Sequence, residues 1–221
     1  VYKLAIFDFD GTMVDSIPGI ERMLRRVTEE YALPISVFER WRQMIGLPLI
    51  DQVSVLLDNR DKQFQNEVVS RCRVLTDQMS PQSWPLFPGL LDCLEPLKSA
   101  GVAMAIVSAK QHHQIVEALE HHRLLPYFRL VIGAEDVTRH KPDPEALEKT
   151  LQSLSFEKKE AVVIGDSIYD LQMASKAGVD GIGVITGIHS KDQLMAAGAK
   201  SVVDSIKEII PAILQGPLSV A

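Results

Sequence analysis

The sequence predicts an α/β protein, a doubly wound parallel sheet with a small all-helical domain inserted after the first strand. Three observations lead there. Short β-rich apolar runs alternate with helix-length segments through most of the 221 residues, the pattern of successive βα units. The first run, Leu4-Ala5-Ile6-Phe7, is apolar without a break, as a strand covered on both faces reads. The stretch between residues 16 and 84, by contrast, holds helical patterns and no convincing strand.

The first strand runs directly into Asp8-Phe9-Asp10-Gly11-Thr12. Ligands of open α/β sheets bind beyond the carboxyl ends of the strands. The strand therefore delivers two carboxylates, one residue apart, to the place where chemistry is normally done, and Gly11 lets the chain turn tightly away. Clustered acids repel unless a cation or a proton lies between them, which makes a divalent metal the first expectation.

The helical block follows, with patterns at residues 19–31, 37–44, 49–57 and 62–79. Proline-bearing segments flank it, Ser16-Ile17-Pro18 on one side and Trp84-Pro85-Leu86-Phe87-Pro88-Gly89 on the other. It reads as a cap domain over residues 16–86, on two hinges, with residues 1–15 and 87–221 forming the α/β core. Further strands are expected at 102–107, 130–132, 161–164, 183–185 and 201–203, and core helices at 90–99, 111–120, 144–154, 170–177 and 191–197. Ala100-Gly101, Ala177-Gly178 and Ala197-Gly198 supply glycine stops at helix ends. Residues 215–221 read as a frayed tail.

A hydrophobic content of 46% and a charged content of 24% are those of a globular protein. The net charge of −6 argues against a broad nucleic-acid surface. Two cysteines, Cys72 and Cys93, make no disulfide framework. No apolar stretch approaches a membrane span, and the apolar start is too short for a signal peptide, so no membrane partner and a cytoplasmic setting are expected. The pairs His112-His113 and His121-His122 lack the i,i+4 spacing of a metal clamp. Gly181-Ile182-Gly183 with Gly187 lacks the spacing of a dinucleotide loop.

Four further positions stand at strand or loop ends. Ser108 follows the 102–107 run; its everyday reading is a helix N-cap, a role compatible with binding a phosphate at that helix start. Lys141, in His140-Lys141-Pro142-Asp143-Pro144, is held at a loop-to-helix entry, where a surface lysine is the plain alternative. Gly165-Asp166-Ser167-Ile168-Tyr169-Asp170 brings two more acids beyond the 161–164 strand, with helix capping as the plain alternative.

Jointly these residues fit one reaction. Mg²⁺ prefers oxygen ligands and binds through one or two carboxylates plus substrate phosphate. Asp8 and Asp166 would supply the carboxylates and the Asp10 backbone carbonyl a third oxygen. Metal, Lys141 and Ser108 would neutralise an incoming phosphate. Asp8 can then attack phosphorus, and Asp10 can protonate the leaving alcohol and later activate water.

Asp8-x-Asp10-Gly11-Thr12, Ser108, Lys141 before Pro142, and Gly165-Asp166 with Asp170 resemble, in order, the four motifs of the haloacid dehalogenase-like (HAD) superfamily. The resemblance covers essentially the whole chain, the helical cap included. It implies Asp8 as nucleophile, Asp10 as general acid/base, Ser108, Ala109 and Lys141 as phosphate binders, and Asp8, Asp10 and Asp166 as Mg²⁺ ligands. Asp170 would orient metal-bound water or Lys141.

Dehalogenases and phosphonate-cleaving members lack an acid at the position of Asp10, so phosphate-ester chemistry is expected. Mutases resembling β-phosphoglucomutase keep that acid, but they carry a cap-loop arginine where this chain has Ile45-Gly46-Leu47-Pro48-Leu49, and a cap histidine where it has Ile20. The remaining likeness is to phosphoglycolate phosphatases and related pyrophosphatases, acting on a small phosphorylated metabolite as monomer or homodimer. A pyrophosphatase or nucleotidase, a mutase, and an inactive binding module are the alternatives. Arg22, Arg25, Arg26 and Arg42 are candidate contacts to an anionic substrate, with exposed helix charges as their plain reading.

Overall fold

The computed structural model describes residues 1–79 and 84–215; of the expected frayed tail, all but Gln215 falls outside the described residues. One sheet of six parallel strands has the order β3-β2-β1-β4-β5-β6. β1 (Leu4–Phe7) lies between β2 (Ala103–Val107) and β4 (Ala161–Gly165); β3 (Leu130–Ile132) flanks β2, and β5 (Asp180–Val184) and β6 (Ser201–Val203) continue beyond β4. The chain winds outward in one direction from β1 to β3 and then returns to the other side at β4. The crevice at such a reversal, beyond the strand ends, is where doubly wound sheets bind ligands.

Every residue of β1, β2 and β4 is buried, which accounts for their unbroken apolar reading. Successive side chains serve opposite layers, as the two-residue period of a strand requires. Ala5, Phe7, Met104, Ile106, Val162 and Ile164 pack with α5 (Leu90–Ser99), α6 (His112–His121) and α10 (Ile209–Leu214). Leu4, Ile6, Ala103, Ala105, Ala161 and Val163 pack with α7 (Glu145–Leu154) and α8 (Ile168–Ala177). Truncating a leucine such as Leu94 or Leu147 to alanine in these layers costs about 2–5 kcal/mol.

Residues 17–77 form four helices, α1 (Ile17–Glu30), α2 (Ile35–Arg42), α3 (Leu49–Leu56) and α4 (Lys62–Asp77). They bury a cluster of their own, with Leu24, Val27, Trp41, Val53, Val68 and Cys72 at its centre. The Asp61 carboxylate starts α4 by accepting from the Phe64 amide at 2.8 Å. Entry to and exit from this block run side by side: the Asp15 amide donates to the Pro85 carbonyl at 2.8 Å and the Phe87 amide to the Met13 carbonyl at 3.0 Å. No helix among the described residues is long and apolar enough to cross a membrane.

Most elements shift by one to three residues from the expected bounds, α1 and α2 each beginning two residues early, and for two of them the cause is visible. β5 begins at Asp180 rather than residue 183, because Gly181 and Gly183 disguise a strand. A Cβ on Gly181 would lie 3.2 Å from Leu171 of α8 and one on Gly183 3.1 Å from Leu194 of α9 (Lys191–Ala196), so two helices on the same face of the sheet pack directly on this backbone. α8 begins two residues early, at Ile168. Ser167 caps it by accepting from the Tyr169 amide at 3.0 Å, while Asp170 reaches back to the Ser167 amide, a reciprocal arrangement that closes the first turn.

Candidate active site

The first acid is fixed by an extension of the sheet. The Asp8 amide donates to the Ile164 carbonyl at 2.8 Å, one step beyond the last paired residues of β1 and β4, and this aims the side chain into the crevice. Asp166 emerges beside it, one residue past β4. Gly11 makes room for this pair: its φ is +80°, and a Cβ there would fall 2.5 Å from Asp166 Oδ2. The chain beyond β5 closes in as tightly, since a Cβ on Gly187 would lie 1.7 Å from the same oxygen.

Lys141 unites the acids contributed by separate elements. Its ammonium donates to Asp8 Oδ1 at 2.7 Å and to Asp170 Oδ1 at 2.6 Å, all three side chains being buried. Carboxylate oxygens of Asp8, Asp166 and Asp170 lie within 4.8 Å of one another. One ammonium thus faces three carboxylates. Burial, with Asp170 and Asp10 nearby, pushes the Asp8 carboxyl up to about 7 against the pull of Lys141. Burial and the charges of Asp8 and Asp170 hold Asp166 well above the usual carboxylate range, opposed by a 2.9 Å hydrogen bond from the Thr12 hydroxyl. Burial disfavours the Lys141 ammonium, but Asp170 and Asp8 outweigh it and keep the group charged. A cluster of hard oxygen donors short of positive charge fits a divalent cation such as Mg²⁺.

Asp10 takes a different position from Asp8. Its carboxylate is partly exposed and is held by Lys110, whose Nζ lies 3.2 Å from Oδ1 and 3.3 Å from Oδ2. Its side chain is not among the three clustered carboxylates, which leaves its backbone carbonyl as the atom proposed for a metal. Ser108, buried just past β2, accepts from the Lys110 amide at 3.2 Å. The N-terminal cap position of α6 belongs to Gln111, so Ser108 does not cap that helix and instead lines the crevice. Ala109 lines the same cavity.

All seven expected residues therefore gather at the carboxyl ends of β1, β2 and β4 or within contact of them. Lys110 and Thr12 were missed. Thr12 stands inside the first motif, and Lys110 follows Ser108 by two residues in the bend beyond β2.

The cavity above these groups measures about 320 Å³ and is closed on its far side by the helical block. The loop Ile45-Gly46-Leu47-Pro48-Leu49 and Ile20 do line it. Gly46, at φ +109°, approaches the core so closely that a Cβ would lie 2.6 Å from Ser167 Oγ. The four arginines considered for substrate do not line it. Arg42 pairs with Glu21, Arg26 with Glu30 at 2.8 Å, Arg25 lies 4.4 Å above the Phe38 ring, and Arg22 is exposed beside Gly19. The arginine of the helical block that lines the cavity is Arg73 of α4.

A family model described as "Haloacid dehalogenase-like hydrolase" matches residues 5–184. The chain is 34% identical over 212 residues to "Probable phosphatase IndB" of Dickeya dadantii, spanning 95% of this chain and 92% of that protein. It is 27% identical over 214 residues to "Phosphoglycolate phosphatase 1" of Pseudomonas aeruginosa, 95% of this chain and 79% of that one. A crystal structure assigned to the haloacid dehalogenase-like hydrolases, from Bacteroides fragilis, superposes with a TM-score of 0.88 at 30% identity, covering 95% of this chain and all of the other.

Proposed function

The chain belongs to the haloacid dehalogenase-like hydrolases and is a phosphatase, and from that premise we propose that it hydrolyses small-metabolite phosphate monoesters through an aspartyl-phosphate on Asp8. One observation supports this above the others: Lys141 bridges Asp8 and Asp170 at 2.7 and 2.6 Å. A strong cation is thereby held where a phosphoryl group attacked by Asp8 would place its charge.

Asp8 attacks phosphorus from the end of β1, with its direction set by the ladder bond to Ile164. Ser108 and the backbone around Ala109 receive the phosphoryl oxygens from the β2 end, while Lys141 neutralises them from the α7 side. Asp10 donates a proton to the departing alcohol oxygen and later takes one from the water that hydrolyses the acyl-phosphate. Asp8, Asp166 and the Asp10 carbonyl would hold Mg²⁺, which when bound supplies Lewis-acid stabilisation of phosphoryl charge. Asp170 keeps Lys141 oriented. Residues 16–86 act as a cap that excludes water while the ester is bound.

The test is phosphate release from p-nitrophenyl phosphate by the purified protein with Mg²⁺, repeated after chelation and with Asp8→Asn. Turnover by the wild type alone, and only with the metal, supports the reading; an active Asp8→Asn protein refutes the covalent route.

A further inference from the structure

The walls of the 320 Å³ cavity are unlike each other. Its floor carries Asp8 and Asp10, with Ser108 and the Lys110 that holds Asp10. The wall opposite is mostly aliphatic, with Ile20 and Met23 from α1, Leu47 from the loop before α3 and Leu49 from the first turn of α3, and Gln52 of α3 as its polar member. Ile20 and Leu49 pack only partly into the cap core, and Leu47 is likewise half-buried, so each keeps apolar surface turned to the cavity. Apolar surface facing a water-filled pocket favours a ligand that covers it with apolar surface of its own. The volume points the same way. At about 320 Å³ it stands at the lower end of the range for small-molecule sites, with room for more than a two-carbon acid.

The cap contributes one cation to this space. Arg73 of α4 lines the cavity with Thr76 one turn further on. Its neighbour Arg71 is engaged with Glu30, whereas Arg73 has no ion-pair partner among the described residues. A guanidinium fork suits a planar carboxylate or phosphate, and here it stands on a different element from the groups that handle the scissile phosphate.

We propose that the preferred substrates are phosphate monoesters of alcohols bearing an aliphatic or aromatic body and an anionic acceptor group. The body lies against Ile20, Met23, Leu47 and Leu49, and the acceptor meets Arg73. This deepens the phosphatase reading and rests on it. It also departs from the substrate that the name of the Pseudomonas aeruginosa relative carries, whose leaving group has no apolar face to offer.

Three esters of primary alcohols test it: phosphoglycolate, benzyl phosphate and 4-carboxybenzyl phosphate, each assayed for phosphate release with Mg²⁺. The expected order of kcat/KM is 4-carboxybenzyl above benzyl above phosphoglycolate, with at least about tenfold between the last two, the scale on which an apolar pocket discriminates. Arg73→Gln, at an exposed position, should bring the carboxybenzyl ester down to the level of the benzyl ester. Leu47→Asn should shrink the ratio of benzyl ester to phosphoglycolate. Hydrolysis of phosphoglycolate as fast as or faster than benzyl phosphate overturns the proposal while leaving the phosphatase intact. An unchanged carboxylate preference in Arg73→Gln overturns the role of the arginine. No phosphate from these esters or from p-nitrophenyl phosphate overturns the underlying reading as well, so the two failures are distinct.

Discussion

The Lys110 ammonium spans both carboxylate oxygens of Asp10, at 3.2 and 3.3 Å, and lies 4.1 Å from the centre of the Trp84 ring. Lys110 and Trp84 are both buried. The lysine is thus clamped between an acid of the site and an aromatic residue on the connection leaving the helical block, a cation–π contact. Such a clamp fixes where the Asp10 carboxyl points. If Asp10 protonates the leaving oxygen, its aim matters most for leaving groups that need the proton. Lys110→Met should lower kcat by roughly 10- to 100-fold on an alkyl phosphate and far less on p-nitrophenyl phosphate. An equal loss on both esters would contradict a proton-positioning role.

Asp8→Asn should remove turnover by at least about 10⁴-fold, as loss of an attacking group does, while leaving the protein folded. The fold should hold because Lys141 retains Asp170 at 2.6 Å and the Asp8 amide keeps its bond to Ile164. Single-turnover assays and a thermal melt, run on the same preparation, check both halves.

Metal binding has a signature apart from activity. Burial, Asp8 and Asp170 together raise the Asp166 carboxyl, so without a divalent cation that side chain is a local burden. Asp166→Asn should melt at or above the wild type in the presence of a chelator. Mg²⁺ should raise the melting temperature of the wild type, by an amount equal to about 2.7 kcal/mol at a hundredfold excess over Kd, and should not raise that of the variant. A matching Mg²⁺ shift in the variant would remove Asp166 from the ligand set.

The parts legible in the sequence are those whose physics is local. Leu4–Phe7 read as a doubly covered strand because both of its faces are buried, and the acids at its end followed from strand geometry. Ser108, Lys141 and Asp166 were legible through chain order, each at a strand end or loop entry. β5 was blurred because Gly181 and Gly183 serve helix packing rather than strand propensity. The arginines could not be sorted, since an exposed helix shows the same charges whether it faces solvent or a cavity. Only the assembled cap separates Arg73, on the cavity, from Arg42, paired with Glu21. Lys110 escaped because its partners Asp10 and Trp84 lie far away in the chain.

A second contact joins cap and core. Asp51 of α3 and His140, next to Lys141, meet at 3.0 Å between Oδ2 and Nδ1, and the other ring nitrogen lies 3.2 Å from the Ala134 carbonyl. This ties α3 to the loop carrying Lys141. His140→Ala should raise KM by about fivefold, equivalent to about 1 kcal/mol of lost contact, with a smaller change in kcat. A fall in kcat at constant KM would place His140 in the chemistry instead.

Tyr2 and Asp180 provide a stability test remote from the site. The Tyr2 hydroxyl donates to Asp180 Oδ2 at 2.6 Å, and Lys200 reaches the same oxygen at 2.7 Å. Burial raises the Asp180 carboxyl, but Lys200 and Tyr2 outweigh it and hold the group below the usual carboxylate range. A depressed folded value means that the stabilisation is full above the unfolded pKa, about 3.9, and is lost as pH falls through the folded one. Tyr2→Phe should therefore cost about 1 kcal/mol at neutral pH, measured by urea denaturation, and the gap from wild type should narrow on acidification below about pH 4. A gap that stays constant into that range would mean that the ring's packing, and not its bond to the ionised Asp180, carries the contribution.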